Sequence, residues 1–126
     1  MKHLSRNCIP LAIVFGLTFW AGCNRSTPPP SPLSLQEMPG VMEKAFAKAK
    51  PEAKGLAGQV VALVEAQDYS KAFLTVQNLA SSPGLTKEQA GVTSRATLTL
   101  NGLLQAAQSK GDPQAAQTLK IYRQDK

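Results

Sequence analysis

Apolar residues recur every three or four positions along most of this 126-residue chain, and residues that start or stop helices separate the apolar runs. Residues three or four positions apart share one face of an α-helix, whereas a half-buried strand requires strict alternation. Alternation over five residues occurs only at positions 96–100, where it also fits a long helical stripe. The pattern therefore predicts an all-α fold.

Three helices are predicted in the first part of this pattern. The first covers about residues 41–50. Pro51 suits the first position of a second helix that extends to about residue 66, and Asp68 is a favourable N-cap for a third over about residues 69–81. Their apolar faces are predicted to consist of Val41, Met42, Ala45, Phe46, Ala49, Leu56, Val60, Leu63, Val64, Tyr69, Ala72, Phe73, Val76 and Leu79.

Two further helices follow. Thr86 and Gln89 have the spacing of a capping box, and the helix that they open is predicted to end near residue 109, before Gly111. Asp112 and Pro113 suit the N-cap and first position of a fifth helix. The predicted apolar faces are Ala90, Ala96, Thr97, Leu100, Leu103, Leu104, Ala107, Ala115, Ala116, Leu119 and Tyr122. Short connections favour antiparallel neighbours, so we expect a small antiparallel helical bundle or stacked helical hairpins with about five helices.

The N-terminal segment has the three-part composition of an export signal. Lys2 and Arg6 supply positive charge, and residues 7–24 carry none. The apolar part, residues 9–20, is shorter than the roughly 20 residues that span a bilayer. A plain transmembrane anchor is therefore disfavoured.

The apolar run ends in Phe19-Trp-Ala-Gly-Cys23, which resembles the lipobox of bacterial lipoproteins. Ala21, Gly22 and Cys23 match that pattern, whereas Trp20 stands where the family usually has an aliphatic residue. The resemblance implies cleavage between Gly22 and Cys23 and attachment of acyl chains to the Cys23 sulfur, which together hold a chain firmly on a membrane. An ordinary cleaved signal or an uncleaved N-terminal anchor are the alternatives.

This interpretation divides the chain into a signal peptide (residues 1–22), a lipidated cysteine with a Pro/Ser-rich tether (residues 23–36) and a helical domain (residues 37–126). The proline-rich tether favours an extended conformation of about 3.1 Å per residue. We expect the domain to lie on the periplasmic side of the cell envelope, at the outer membrane, since Asn24 is compatible with outer-membrane sorting.

Catalytic chemistry has little support in the processed chain. His3 and Cys8 leave with the signal, and Cys23 is consumed by lipid, so no histidine or free thiol remains to act as base, nucleophile or zinc ligand. Neighbouring Ser70 and Lys71 point to different sides of a helix. Glu65 and Asp68 could be imagined as a calcium site, but Asp68 already serves as a cap. We expect no enzyme activity, no metal and no cofactor.

Processing also lowers the charge, because 14 basic residues become 12 against the same 8 acidic ones, a net of +4. The basic residues are scattered and lack interleaved aromatics, so a nucleic-acid partner is not expected.

The segments 64–72 and 107–116 each end one helix and begin the next with aspartate, followed by alanine four residues later. These turns resemble those of tetratricopeptide-type helical hairpins, although their offset is 44 residues and not the 34 of that family. The resemblance implies a groove that binds peptides.

The favoured function is thus a non-enzymatic module that binds an envelope protein or peptide, with the rings of Tyr69 and Tyr122 as candidate anchors. The alternative is a structural, wall-associated lipoprotein whose basic face touches anionic polymers. Its candidate residues are Lys44, Lys48, Lys54 and Lys71.

Overall fold

Five α-helices form the part of the chain that the structure, a computed structural model, describes, namely residues 28–126. Their bounds are α1 (Met38–Phe46), α2 (Pro51–Glu65), α3 (Tyr69–Ala80), α4 (Lys87–Ser109) and α5 (Pro113–Gln124). No strand occurs in this region. The predicted fold class is confirmed. The starts of α2 to α5 and the ends of α2, α3 and α4 lie within one residue of the predicted positions.

Helices α1 to α4 form a closed ring of four, since α1 packs on α2, α2 on α3, α3 on α4 and α4 on α1. Helix α5 lies outside this ring and contacts only α3 and α4. Among the described helices, α2 and α4 do not contact each other across the ring. Of the two predicted arrangements, this one is the bundle.

The first helix differs from its prediction, because it begins three residues earlier and ends four residues earlier. Ser34 explains the early start. Its backbone carbonyl accepts the N–H of Met38 at 3.0 Å, and its hydroxyl accepts the N–H of Glu37 at 3.3 Å. Pro51 explains the early end, since the residue before a proline avoids the helical region and Lys50 is extended (φ −55°, ψ 148°).

The sequence assigns residues 31–36 to the tether, but the structure buries Leu33 in the core and bonds this segment to α4 through Ser31 and Leu33. Leu33 is only 2% exposed and belongs to the core. The carbonyl of Ser31 accepts from the Arg95 side chain at 2.8 Å, and that of Leu33 accepts from the Thr99 hydroxyl. The two residues from Ser31 to Leu33 thus run alongside about one turn of α4, from Arg95 to Thr99. We call residues 30–35 the strap.

The capping box that opens α4 forms as predicted, and it also ties this helix to α1. Thr86 Oγ1 accepts the N–H of Gln89 at 3.1 Å, and Gln89 Oε1 accepts the N–H of Thr86 at 3.0 Å. The Gln89 amide then donates to the carbonyl of Ala45 at 3.2 Å. The first turn of α4 therefore lies beside the last turn of α1.

The turns between α2 and α3 and between α4 and α5 have the same backbone hydrogen bonds. The N–H of Asp68 donates to the carbonyl of Leu63 at 2.9 Å, and the N–H of Asp112 donates to that of Ala107 at 3.1 Å. Each aspartate is the N-cap of the next helix. Both turns are Schellman motifs, so the sequence similarity at an offset of 44 residues reflects a repeated local structure.

The core contains most of the predicted apolar positions, but not Ala90. That prediction is wrong, because Ala90 is exposed. The hydrogen bond from Gln89 to α1 fixes the rotation of α4 so that Gln89, Val92 and Thr93 are buried instead. The Thr93 hydroxyl is satisfied by the carbonyl of Gln89 at 2.7 Å.

Candidate binding surface along α3

Three large hydrophobic side chains are exposed in the described part of the chain, and all three lie along α3. They are Leu74, Leu98 and Ile121, with exposed fractions of 38%, 42% and 41%. Leu74 and Ile121 line a cleft between α3 and α5, and Leu98 lines a cleft between α3 and α4. Gln77 lines both clefts, so the two adjoin. We call these two clefts together the α3 surface.

The α3 surface is mostly uncharged. The cleft between α3 and α5 has a volume of about 470 Å³, and its polar lining includes Gln77, Asn78 and Ser81. The cleft between α3 and α4 measures about 300 Å³ and includes Ser94 and Thr97. The only charged residues that line either cleft are Asp125 and Lys126, at one end. Such a surface can form apolar contacts and hydrogen bonds to amides.

Helix geometry explains why these hydrophobic residues stay outside. The core face of α3 consists of Ala72, Phe73, Val76 and Leu79, and Leu74 follows this stripe by one position, which rotates its side chain by about 100°. The amide of Gln77 reaches the Thr97 hydroxyl at 3.5 Å and links α3 to α4. The sequence reasoning missed these residues because it searched for stripes. The signal in the sequence that could have revealed them is that each is a large apolar residue outside the apolar face of its own helix.

Tyr122, one of the two tyrosines predicted as binding residues, lines the α3–α5 cleft of the α3 surface. Its ring packs edge-on against Phe73, with centroids 5.0 Å apart and planes at 81°. The Lys126 ammonium lies 4.9 Å from the same ring. Because Phe73 is fully buried, this contact holds the Tyr122 ring in the lining of the cleft.

Tyr69 lies elsewhere, in a cleft of about 270 Å³ between the two Schellman turns. Asp68 and Asp112, the two N-caps, line the same cleft. The two tyrosines therefore do not share one surface. The cleft also shows that α3 and α5 are parallel, since both begin there.

The four lysines of the predicted basic face are all exposed, but only Lys44, Lys48 and Lys54 lie near the same end of the bundle. Lys44 lies in the last turn of α1, Lys48 in the link to α2, and Lys54 near the start of α2. Lys71 lies in the first turn of α3, beside the Schellman turns, where its ammonium is 3.3 Å from an Asp68 carboxylate oxygen. The α1–α2 link and the Schellman turns lie at opposite ends of the bundle.

The sequence offered Ser70 with Lys71 as a possible catalytic pair and Asp68 as a possible metal ligand, and the structure shows where these side chains lie. Ser70 is buried, whereas the Lys71 side chain is exposed and pairs with Asp68. Asp68 Oδ1 accepts the N–H of Lys71 at 3.2 Å, as an N-cap does. Within residues 28–126, His, Cys, Asp and Glu side chains form no group of three or more that could hold a metal ion. Gly22 and Cys23 lie outside the described residues.

The pKa of Glu37 is shifted by its surroundings. The Ser34 hydroxyl donates to Glu37 Oε2 at 2.6 Å, and this hydrogen bond is the main reason why the pKa of Glu37 lies below its ordinary value. Partial desolvation raises this pKa, whereas a hydrogen bond from the Ser34 backbone and the charge of Arg95, 3.8 Å away, lower it further. Ser34 and Glu37 have capping-box spacing that the sequence reasoning overlooked.

Among the helices of residues 28–126, none combines the length and the apolar composition that crossing a bilayer requires. No protein-family model matches this chain, and neither a curated protein nor a solved structure is detectably similar to it.

Proposed function

We propose that this chain is an exported bacterial lipoprotein, anchored through acyl chains on Cys23, whose helical domain binds another polypeptide of the cell envelope through the α3 surface. The observation that carries the binding role is that Leu74, Leu98 and Ile121 all line two adjoining clefts. Scattered hydrophobic residues are normal on a protein surface, but grouped ones mark interaction sites.

The composition of the α3 surface supports a polypeptide partner. The centres of protein interfaces are depleted in charged residues and rich in aromatic and aliphatic anchors. The α3 surface combines Leu74, Ile121 and the Tyr122 ring with uncharged amide and hydroxyl groups. Amide side chains such as Gln77 can both donate and accept hydrogen bonds, so they suit a partner's backbone.

The lipid anchor rests on the lipobox resemblance at Cys23, and the strap changes the length of the tether that follows it. Because the strap begins at Pro30, only residues 23–29 are left to span the distance from the lipid. At 3.1 Å per residue, their reach is about 22 Å. The bound partner would therefore lie close to the membrane.

The alternative function, contact with anionic polymers through Lys44, Lys48, Lys54 and Lys71, has less support. Lys71 lies at the opposite end of the bundle from Lys48 and is paired with Asp68. A single face made of these four residues is therefore not available.

Site-specific photo-crosslinking in intact cells tests the binding role. We expect a crosslinker at position 74 or 121 to give adducts with one and the same protein. A crosslinker at Gln59, an exposed residue of α2 outside the α3 surface, is the matched control and should not give this adduct. Equal adducts from all three positions, or none from 74 and 121, would refute the proposal.

Cell fractionation of a Cys23→Ser variant tests the anchor separately. We expect the variant to lose its lipid and to leave the membrane fraction, while the unchanged chain stays there. Retention of the variant in membranes would argue for an uncleaved N-terminal anchor.

A further inference from the structure

Charge is distributed unevenly along the bundle. One end consists of the α1–α2 link (residues 47–50), the α3–α4 loop (residues 81–86) and the last turns of α5. We call it the basic end. The Lys50 ammonium lies 3.1 Å from the position that a β-carbon on Gly84 would take, which shows that link and loop adjoin. Ser81 lines one cleft with Asp125 and Lys126, so α5 also ends there.

The basic end carries eight basic side chains against four acidic ones, a net charge of +4. The basic residues are Lys44, Lys48, Lys50, Lys54, Lys87, Lys120, Arg123 and Lys126, and the acidic ones are Glu43, Glu52, Glu88 and Asp125. The opposite end, at the two Schellman turns, carries three acidic residues (Glu65, Asp68 and Asp112) against two basic ones (Lys71 and Lys110). The remaining pair, Glu37 and Arg95, lies between the ends as an ion pair.

Followed backwards along the chain, the strap leads toward the basic end. Leu33 is held at Thr99 and Ser31 at Arg95, so the chain followed backwards moves toward the start of α4. Pro30 then lies in a cleft with Ser94 and with Ala80, the last residue of α3. The strap, followed backwards, therefore approaches the basic end, where α4 begins.

Tether length strengthens this directional preference. Ser94 is 15 residues before the end of α4 at Ser109, so Pro30 lies about 22 Å from the Schellman turns at 1.5 Å per residue. Residues 23–29 can span about 22 Å only when fully extended. The turn end could therefore face the membrane only with a stretched tether, whereas the basic end can do so with a relaxed one.

We propose that the basic end lies against anionic phospholipid headgroups, so that the bundle stands on the membrane with the Schellman turns pointing away. This proposal rests on the lipid anchor at Cys23. Basic residues near an anionic bilayer are attracted within a Debye length, about 8 Å at physiological ionic strength. The anchor keeps the basic end close enough to the bilayer to enter that range, and the attraction then selects its orientation.

The lysines themselves can report this orientation by their reaction with an amine-acylating reagent, measured by mass spectrometry. The mature, acylated protein is placed in lipid nanodiscs of phosphatidylcholine alone, or of phosphatidylcholine with one third phosphatidylglycerol. We expect labelling of Lys48, Lys50, Lys54 and Lys87 to slow several-fold in the anionic discs only. Lys71 and Lys110 should react equally in both discs, and high salt should remove the difference.

A charge-reversal variant provides the matched control. Lys48→Glu, Lys50→Glu and Lys87→Glu together should abolish the slower labelling at Lys54, whereas Lys71→Glu with Lys110→Glu should preserve it. All five substituted lysines are exposed, so the fold should tolerate both variants.

Identical labelling of the unchanged protein in the two kinds of disc would overturn the orientation while leaving the anchor intact. Slower labelling at Lys71 and Lys110 as well as at Lys48 would also overturn it. A protein that does not remain with either disc would overturn the anchor and the orientation together.

Discussion

Replacing Leu33 with alanine tests whether the strap belongs to the fold. The sequence assigns Leu33 to a proline-rich tether, in which a leucine side chain would contribute nothing to stability. The structure buries it to 2% exposure among core residues and holds its carbonyl through the Thr99 hydroxyl. The two interpretations therefore predict very different costs for the same substitution.

The magnitude follows from the three carbon atoms that Leu33→Ala removes. At about 0.8 kcal/mol per buried methylene, the lost transfer free energy is roughly 2.4 kcal/mol. Buried Leu→Ala substitutions cost about 2–5 kcal/mol when a cavity remains. Because the strap lies near the edge of the domain and can relax into the space, we expect 2–3 kcal/mol as an order of magnitude. For a domain of this size, that corresponds to a Tm lowered by roughly 10–20 °C.

The assay is urea and thermal unfolding followed by circular dichroism, on a chain that begins at Asn24 and carries every described residue. Leu98→Ala is the matched control, since it makes the same chemical change at a side chain that is 42% exposed. Surface substitutions of this kind usually change stability by less than about 0.5 kcal/mol. If Leu33→Ala and Leu98→Ala unfold at the same urea concentration, the strap is not part of the fold.

Three further predictions concern the helix ends. Gln67 (φ 61°) and Gly111 (φ 89°) occupy the left-handed position of the two Schellman turns, so Gln67→Gly should stabilise and Gly111→Ala should destabilise the domain, each by about 1 kcal/mol in urea unfolding. A less stable Gln67→Gly variant or a more stable Gly111→Ala variant would contradict this account. Asp112→Ala removes an N-cap that accepts two N–H groups and should cost about 1 kcal/mol in the same assay, whereas an unchanged midpoint would exclude the cap. Ser34→Ala should raise the pKa of Glu37 measured by NMR, because the hydroxyl bond that favours the carboxylate is lost. An unchanged pKa would remove Ser34 as the cause.

The direction of the Glu37 shift also fixes the sign of its effect on stability. A carboxyl group whose pKa is lowered by folding stabilises the native state above its unfolded pKa, and this contribution disappears as the pH falls through the folded pKa. Ser34→Ala should therefore lessen the loss of stability on acidification that is due to Glu37. The effect should be small, because Glu37 is exposed.

The helices were predictable because their ends carry local signals. Asp68, Thr86 and Asp112 each accept a backbone N–H of the next helix, and these bonds depend on residues within three positions. Pro51 likewise acts on its immediate neighbour. Such signals require no knowledge of the tertiary fold.

The features that the sequence did not reveal depend on contacts between distant parts of the chain. Leu33 is buried because Arg95 and Thr99, more than 60 residues away, donate hydrogen bonds to the strap carbonyls and hold the strap on α4. Gln89 replaces Ala90 in the core because its amide reaches Ala45. A proline-rich composition predicts an extended backbone correctly, but it does not say whether that backbone packs.

The candidate site was predicted least well, for a related reason. Tyr69 and Tyr122 were chosen for their residue type, but only the assembled bundle shows that they line different clefts. The α3 surface arises because α5 lies outside the four-helix ring and covers α3 only in part. Leu74 alone, seen in the sequence, would be an ordinary exposed leucine.

The most direct test of the central claim is the intact mass of the protein extracted from membranes, with fragmentation of its N-terminus. The account predicts a chain that begins at Cys23 and carries acyl groups there. A chain that still contains residues 1–22, or one that begins elsewhere without lipid, would contradict the lipoprotein assignment and the membrane orientation that rests on it.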